Sequence, residues 1–360
     1  MMKIQDTLNE RANNFTLLRL LAAMAVLYGH SYALSLGVSG GEDLISNFLI
    51  RYWGESLPSL AVDLFFVSSG FLVTASYLQR DNLFAFIEAR VLRIYPGLIV
   101  AVLFCVFVVG AFVTTDSVAA YFSSPITWSY LKNNSLLIKG IQFDLPSVFI
   151  NNPYPISVNG SLWTLPVELW MYFWVAIMGS LSLLKGNKAF NAIFLVLCLM
   201  YAQSPSTFYI VSDPRNAQLA LLFLLGGFFY VNRNEIPLGL SGFVLLCTVV
   251  YLTTQYHFSG FLKIALFAYT VLLLALHPKL RLPSIDHWGD ISYGLYIYAF
   301  PVQQTIVYLM PQVRPLSMFM LSTFITFVLA ILSWKLVEKP ALKLKGRMSF
   351  GKHKDDVRAG

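Results

Sequence analysis

Long apolar runs dominate the chain and recur from Phe15 almost to Lys335, with only short polar breaks between them. Runs of roughly 17–25 apolar residues match the helix length that crosses a hydrocarbon layer about 30 Å thick. Ten such spans are predicted, at about 15–35, 58–79, 91–114, 161–183, 188–204, 216–231, 236–254, 258–276, 287–310 and 315–334. Turn residues punctuate the gaps, as in Asp213-Pro214-Arg215 and His277-Pro278-Lys279, and Pro96, Pro166 and Pro301 are expected to kink the helices that carry them. The expected fold class is all-α: a polytopic transmembrane helix bundle of about ten spans. It occupies 1–345 as one integral-membrane domain, followed by a basic cytoplasmic tail, 346–360, expected to be disordered.

Composition agrees with the pattern, since 57% of the 360 residues are hydrophobic and only 12% are charged. An ordinary soluble domain is excluded. With the N-terminus inside, 18 of the 25 Lys and Arg fall on cytoplasmic segments and only Arg51, Lys132, Lys139, Arg215 and Arg314 on the opposite face. Both termini are therefore expected in the cytoplasm. The net charge of +7 is then a topological signal and calls for no nucleic-acid partner. Cys105, Cys198 and Cys247 sit in apolar runs without CxxC spacing, so they read as small core residues rather than disulfides or metal ligands. No metal is expected. The first run is too long for a signal-peptide core and lacks a small-x-small cleavage site, so it is expected to stay as an anchor. The longest connection, 115–160, is expected outside; its Tyr121, Trp128, Tyr130 and Tyr154 suit a sugar surface or an interfacial belt.

The stretch "FTLLRLLAAMAVLYGHSYAL" carries Arg19 and His30 inside the first span. Eleven positions apart, their side chains point within about 20° of each other and about 16 Å apart along the axis. Either residue alone could be structural, Arg19 snorkelling and His30 hydrogen-bonded in the core. Together on one face they suggest a pathway or cavity. Arg offers a permanently charged fork suited to phosphate, and His can take the proton of an attacking hydroxyl or accept an acyl group.

Arg90 and Arg93, three residues apart where the third span starts, either clamp phosphates or anchor the helix at the cytoplasmic face. Asp63 in the second span is expected to orient His30 or to bind an incoming hydroxyl, while Ser68, Ser69 and Gly70 allow close packing. Glu168, two residues after Pro166, needs a partner at its depth, with Arg or His across the bundle the expected one. Gln303 and Gln304 are costly in lipid, so at least one is expected to face a cavity.

Six stretches, "RLLAAMAVLYGHSYAL", "AVDLFFVSSGFLV", "ARVLRIYPGL", "NGSLWTLPVELW", "DISYGLYIYAFPV" and "VEKPALKL", resemble in order those of the membrane acyltransferase type 3 family, and they cover nearly the whole chain. The resemblance implies an acyl-CoA-dependent O-acyltransferase of bacterial surface glycans in the cytoplasmic (inner) membrane. It makes His30 the catalytic residue, Arg19 its partner, Arg90 and Arg93 the paired arginines, and Glu168 the acidic position after the Trp motif. Where many members read Tyr-x-x-His-x-Pro, this chain has Tyr296, Ala299 and Pro301, so no catalytic His is assigned there. The extra periplasmic esterase-like domain of some members is not expected.

The reading that follows is a membrane O-acyltransferase, in the first place an O-acetyltransferase. Acetyl-CoA or another acyl-CoA is the donor, and a glycan or lipid-linked sugar is the acceptor. Arg19, Arg90 and Arg93 bind the donor phosphates, and His30, oriented by Asp63 or Glu168, is the general base. A transporter or flippase for a small anion or lipid-linked sugar is the rival, since it too needs intramembrane charge. A scaffold in a glycan assembly complex ranks last, because it leaves Arg19 and His30 without a role.

Overall fold

A computed structural model describes residues 2–8, 13–37, 40–203, 213–256, 259–285 and 289–346. Among them the chain is helical, and a single isolated bridge, Lys3 to Pro237, is the only β pairing. Ten helices stand at the ten predicted runs: α1 Phe15–Leu36, α2 Leu57–Arg80, α3 Leu83–Leu103, α4 Thr164–Ser180, α5 Asn187–Gln203, α6 Pro214–Val231, α7 Leu240–Leu252, α8 Ser259–Leu276, α9 Ser292–Leu309 and α10 Pro315–Ser333. A π-helical stretch, Phe104–Gly110, carries α3 on to Val113, and a second one, Trp334–Glu338, carries α10 on to Leu342. Five helical segments are long and apolar enough to cross a membrane by length and composition: Phe15–Leu36, Leu57–Arg80, Leu83–Val113, Gly160–Ser180 and Pro315–Leu342. The chain is a multi-pass helical membrane protein. The helices at the other five predicted spans have at most 18 residues; α7, expected over 236–254, has 13, about 20 Å of helix.

Several boundaries move for local reasons. Asn82 caps α3 by accepting the amide of Ala85, so that helix starts eight residues before the predicted 91. Arg90 and Arg93 consequently lie two to three turns inside it rather than at its entrance. Pro166 kinks nothing: α4 begins at Thr164 after a 3₁₀ turn, Gly160–Trp163, which leaves Pro166 in the first turn, where no intrahelical N–H is needed. Pro96 and Pro301 do lie inside their helices. The three cysteines are unpaired. Of the tail 346–360, only Gly346 is described, and the rest lies outside the described residues, as does the start of the predicted 287–310 span.

The bundle closes most tightly where α2 meets α6. A Cβ on Gly70 would lie 1.9 Å from the Phe223 carbonyl oxygen, and one on Gly226 would lie 2.2 Å from that of Val67, so only glycine permits this approach. On α1, Gly29 faces Pro58 in the same way. The N-terminal segment is tied to two connections: Ile4 N donates to Ile236 O and Leu238 N to Met2 O, and Asn14 bonds Leu274, Leu280 and Leu282. These segments, which the basic residues assign to one side, do lie together.

Candidate active site

α1, α2, α4 and α9 surround a small cavity of about 40 Å³. Arg19 lines it together with Phe65, Ser69, Thr164, Glu168 and Tyr296. Arg19 Nη1 meets Asp290 Oδ2 at 3.3 Å, and its guanidinium lies over Phe65 at 5.7 Å, yet its buried Nε has no hydrogen-bond partner. A donor left bare in such a site favours an acceptor supplied by a ligand.

Glu168 is held by hydroxyls and not by the expected cation. Its Oε1 accepts from Ser69 Oγ at 3.0 Å and from Tyr172 Oη at 2.5 Å. Tyr172 thus belongs to the site, and its ring carries the Arg90 guanidinium at 5.6 Å.

The two arginines of α3 part company. Arg93 is bound on both terminal nitrogens, to Asp290 at 2.5 Å and to Glu338 at 3.3 Å, and lies over Tyr293 and Trp334. Arg19, Arg93, Asp290 and Glu338 form one network of zero net charge, in which Asp290 bridges the two guanidiniums. Arg93 thus has both terminal nitrogens committed to carboxylates within the protein. Arg90 has no carboxylate within ion-pair distance among the described residues. It donates to Ser76 Oγ at 3.4 Å, as does Arg80 from the end of α2, and its buried Nε is unpartnered. Arg90, with Arg80 beside it, retains free positive charge for an anion.

Asp290 and Glu338 were not singled out for this role from sequence. Asp290 precedes α9 on a loop whose register Gly289 sets: its φ is +82°, and a Cβ there would lie 2.1 Å from Trp334 Nε1. The π-helical turn at Trp334–Glu338 brings Glu338, 1% exposed, back to Arg93. Asp290 lies outside the helix. Burial alone would raise its pKa, but Arg19 and Arg93 outweigh that and hold it at about 2.

Asp63 does not orient His30. Its Oδ1 pairs with Arg215 Nη2 at 2.8 Å and its Oδ2 accepts from Gln218 Nε2 at 3.2 Å, both from α6. It lines a different cavity, with Glu55, Tyr201 and Lys263. The reason is angular: Val62, Phe65, Phe66 and Ser69 turn one face of α2 to the Arg19 cavity, and Asp63 stands about 100° away from Val62.

His30 is not among the residues lining the Arg19 cavity. Its Nδ1 is buried without a partner, and its ring meets the Phe300 ring edge-on at 5.3 Å. Phe300 stands one turn beyond Tyr296 on the cavity face of α9 and packs against Gly160, whose added Cβ would lie 2.6 Å from it. Of the six residues expected in the site, Arg19 and Glu168 share the cavity. Arg90 reaches it through Tyr172, Arg93 stands behind Arg19, His30 lies beyond Phe300, and Asp63 faces elsewhere.

The expected sugar-facing aromatics also sort themselves. Tyr121 and Tyr130 are fully buried, and Trp128 donates to the Phe122 carbonyl. Tyr154 instead packs on Phe300 at 6.1 Å. Gln303 and Gln304 are both buried: Gln303 Nε2 donates to Leu27 O and Ser31 Oγ while its Oε1 has no partner, and Gln304 Nε2 donates to Tyr154 O and Ser157 O. Among the described residues no group of three or more His, Cys, Asp and Glu is placed to hold a metal.

A family model described as an acyltransferase domain matches residues 13–335. An O-acetyl transferase of Shigella phage Sf6 is 31% identical, over 91% of this chain and 96% of its own length. Nodulation protein 10 of Rhizobium leguminosarum bv. viciae is 26% identical over 92% and 94%. O-acetyltransferase OatA of Staphylococcus aureus is 25% identical over 81% of this chain, which covers 53% of OatA. No solved structure matches.

Proposed function

Because the chain belongs to the acyltransferase type 3 family and is an acyltransferase, we propose that it is a membrane O-acetyltransferase that moves an acetyl group from cytoplasmic acetyl-CoA to a hydroxyl of a surface or exported glycan. One observation carries this reading. The acyltransferase family model runs over residues 13–335 and so includes every helix that builds the Arg19 cavity, and a protein named as an O-acetyl transferase is 31% identical over 91% of the chain.

The donor enters with its phosphates at Arg90, joined by Arg80, and its thioester arm in the cavity, where Arg19 Nε and the Glu168–Ser69–Tyr172 group meet polar atoms of the arm. Arg93 holds Asp290 and so fixes Arg19. At His30 the imidazole takes the proton of the acceptor hydroxyl as its oxygen bonds to the acyl carbon. The carbon–sulfur bond breaks and the thiolate recovers the proton. The chain lies in the bacterial inner membrane with ten spans and both termini cytoplasmic; the division of basic residues between the two sides supports this orientation.

The experiment compares glycan structure, by mass spectrometry and NMR, in cells with and without the gene. A single O-acetyl ester missing from the deletion strain is the expected result. Identical glycans in the two strains would refute the acceptor class.

A further inference from the structure

The residues between His30 and the outer face make a closure rather than an entrance. Tyr296, Phe300 and Gln304 follow one another at four-residue spacing along a single face of α9. Tyr296 lines the Arg19 cavity, Phe300 meets the His30 ring edge-on, and Gln304, fully buried, grips the connection before α4. The grip is fourfold. Asn152 Nδ2 donates to Gln304 O at 3.0 Å and to Gln304 Oε1 at 2.9 Å, and Gln304 Nε2 donates to Tyr154 O at 2.8 Å and to Ser157 O at 2.7 Å. Farther along, Asn159 Nδ2 donates to Ile297 O at 2.9 Å. Pro153 presses on the end of α1, its carbonyl oxygen 2.8 Å from where a Cβ of Gly37 would be. The result is a strap over residues 149–159, whose Tyr154 ring backs Phe300 as Phe300 backs His30.

A general base that activates a sugar hydroxyl will equally activate water if water reaches it. Resting on the acetyltransferase reading above, we propose that this strap, pinned through Gln304, is the acceptor-side closure of the His30 site. It keeps water from the donor thioester until the acceptor displaces it. Gln304 and Asn152 are positioning residues that touch neither donor nor His30. The side reaction they suppress is hydrolysis. Water oxygen bonds to the acyl carbon, the carbon–sulfur bond breaks, and the products are acetate, the free thiol of CoA and a proton.

The test uses the full-length protein in detergent or nanodiscs with acetyl-CoA and isolated glycan. CoA release is followed with and without glycan, and ester formation alongside it. Asn152→Ala removes two of the four strap bonds while leaving α9 and Phe300 untouched, and Gln304→Leu removes the side-chain grip altogether. Two hydrogen bonds lost from the closed state shift the opening equilibrium by about 30-fold. Glycan-independent CoA release should therefore rise about tenfold or more in Asn152→Ala, and further in Gln304→Leu, with the KM for acetyl-CoA unchanged. A merely structural role would lower hydrolysis and transfer in parallel, and that result in both variants would overturn the proposal. So would an unchanged ratio of CoA released to ester formed. If the wild-type protein itself releases no CoA with glycan present, the acetyltransferase reading fails, which is a separate outcome.

Discussion

Arg93 commits both terminal nitrogens to carboxylates, whereas Arg90 has one hydroxyl and two aromatic faces, and this difference sets what each substitution does. Arg93→Gln leaves Glu338 as an uncompensated buried charge, which costs about 3–5 kcal/mol. Folded yield after membrane extraction should fall sharply, as size-exclusion profiles will reveal. Arg90→Gln should instead leave the yield intact and raise the KM for acetyl-CoA about tenfold or more, with a smaller change in kcat, because a charge-assisted phosphate contact is lost. Asp290 gives a third residue-level expectation. Its folded pKa of about 2 lies below the ordinary carboxylate value, so the stability it contributes is complete above that ordinary value and lost as pH falls toward 2. Thermal unfolding between pH 5 and 8 should show no step from Asp290, and Asp290→Asn should shift the protein's acid limb. At this scale the sequence exposed Arg19, His30, Arg90, Arg93 and Glu168 because charge within an apolar run stands out. It could not assign their partners, since Asp290 and Glu338 reach them from distant segments, and it gave no sign that Asp63 meets Arg215 and Gln218, because periodicity fixes a helix face but not the neighbour that the face meets.

At the scale of elements, α2 and α6 approach through Gly70 and Gly226, each seated against the other helix's backbone. Gly70→Val places branched carbons where the Phe223 carbonyl stands, so the helices must separate and the folded fraction should collapse, whereas Gly186→Ala, where an added Cβ meets nothing, should be neutral. Thermal denaturation of the two purified variants decides it. Helix existence was legible from apolar run length alone. The ends were less so, because caps such as Asn82, the 3₁₀ turn before α4 and the two π-helical stretches depend on local hydrogen bonding that hydropathy does not register. The π turn at Trp334–Glu338 matters most, since it aims Glu338 at Arg93.

For the whole molecule, the proposed topology separates a cytoplasmic donor side, near Arg80, Arg90 and Arg93, from an external strap over His30. In a background carrying Cys247→Ser, Asn151→Cys on the strap should react with a membrane-impermeant maleimide added to intact cells, and Asn234→Cys should react only after permeabilisation. The reverse pattern would invert the orientation. The central claim is that this bundle carries an acetyl group from CoA to a hydroxyl through His30. Its most direct measurement is the incubation of purified protein with radiolabelled acetyl-CoA and isolated glycan, wild type beside His30→Ala. The account predicts CoA release with label on the glycan for the wild type, and neither for a folded His30→Ala. Label transfer by His30→Ala at the wild-type rate would contradict it.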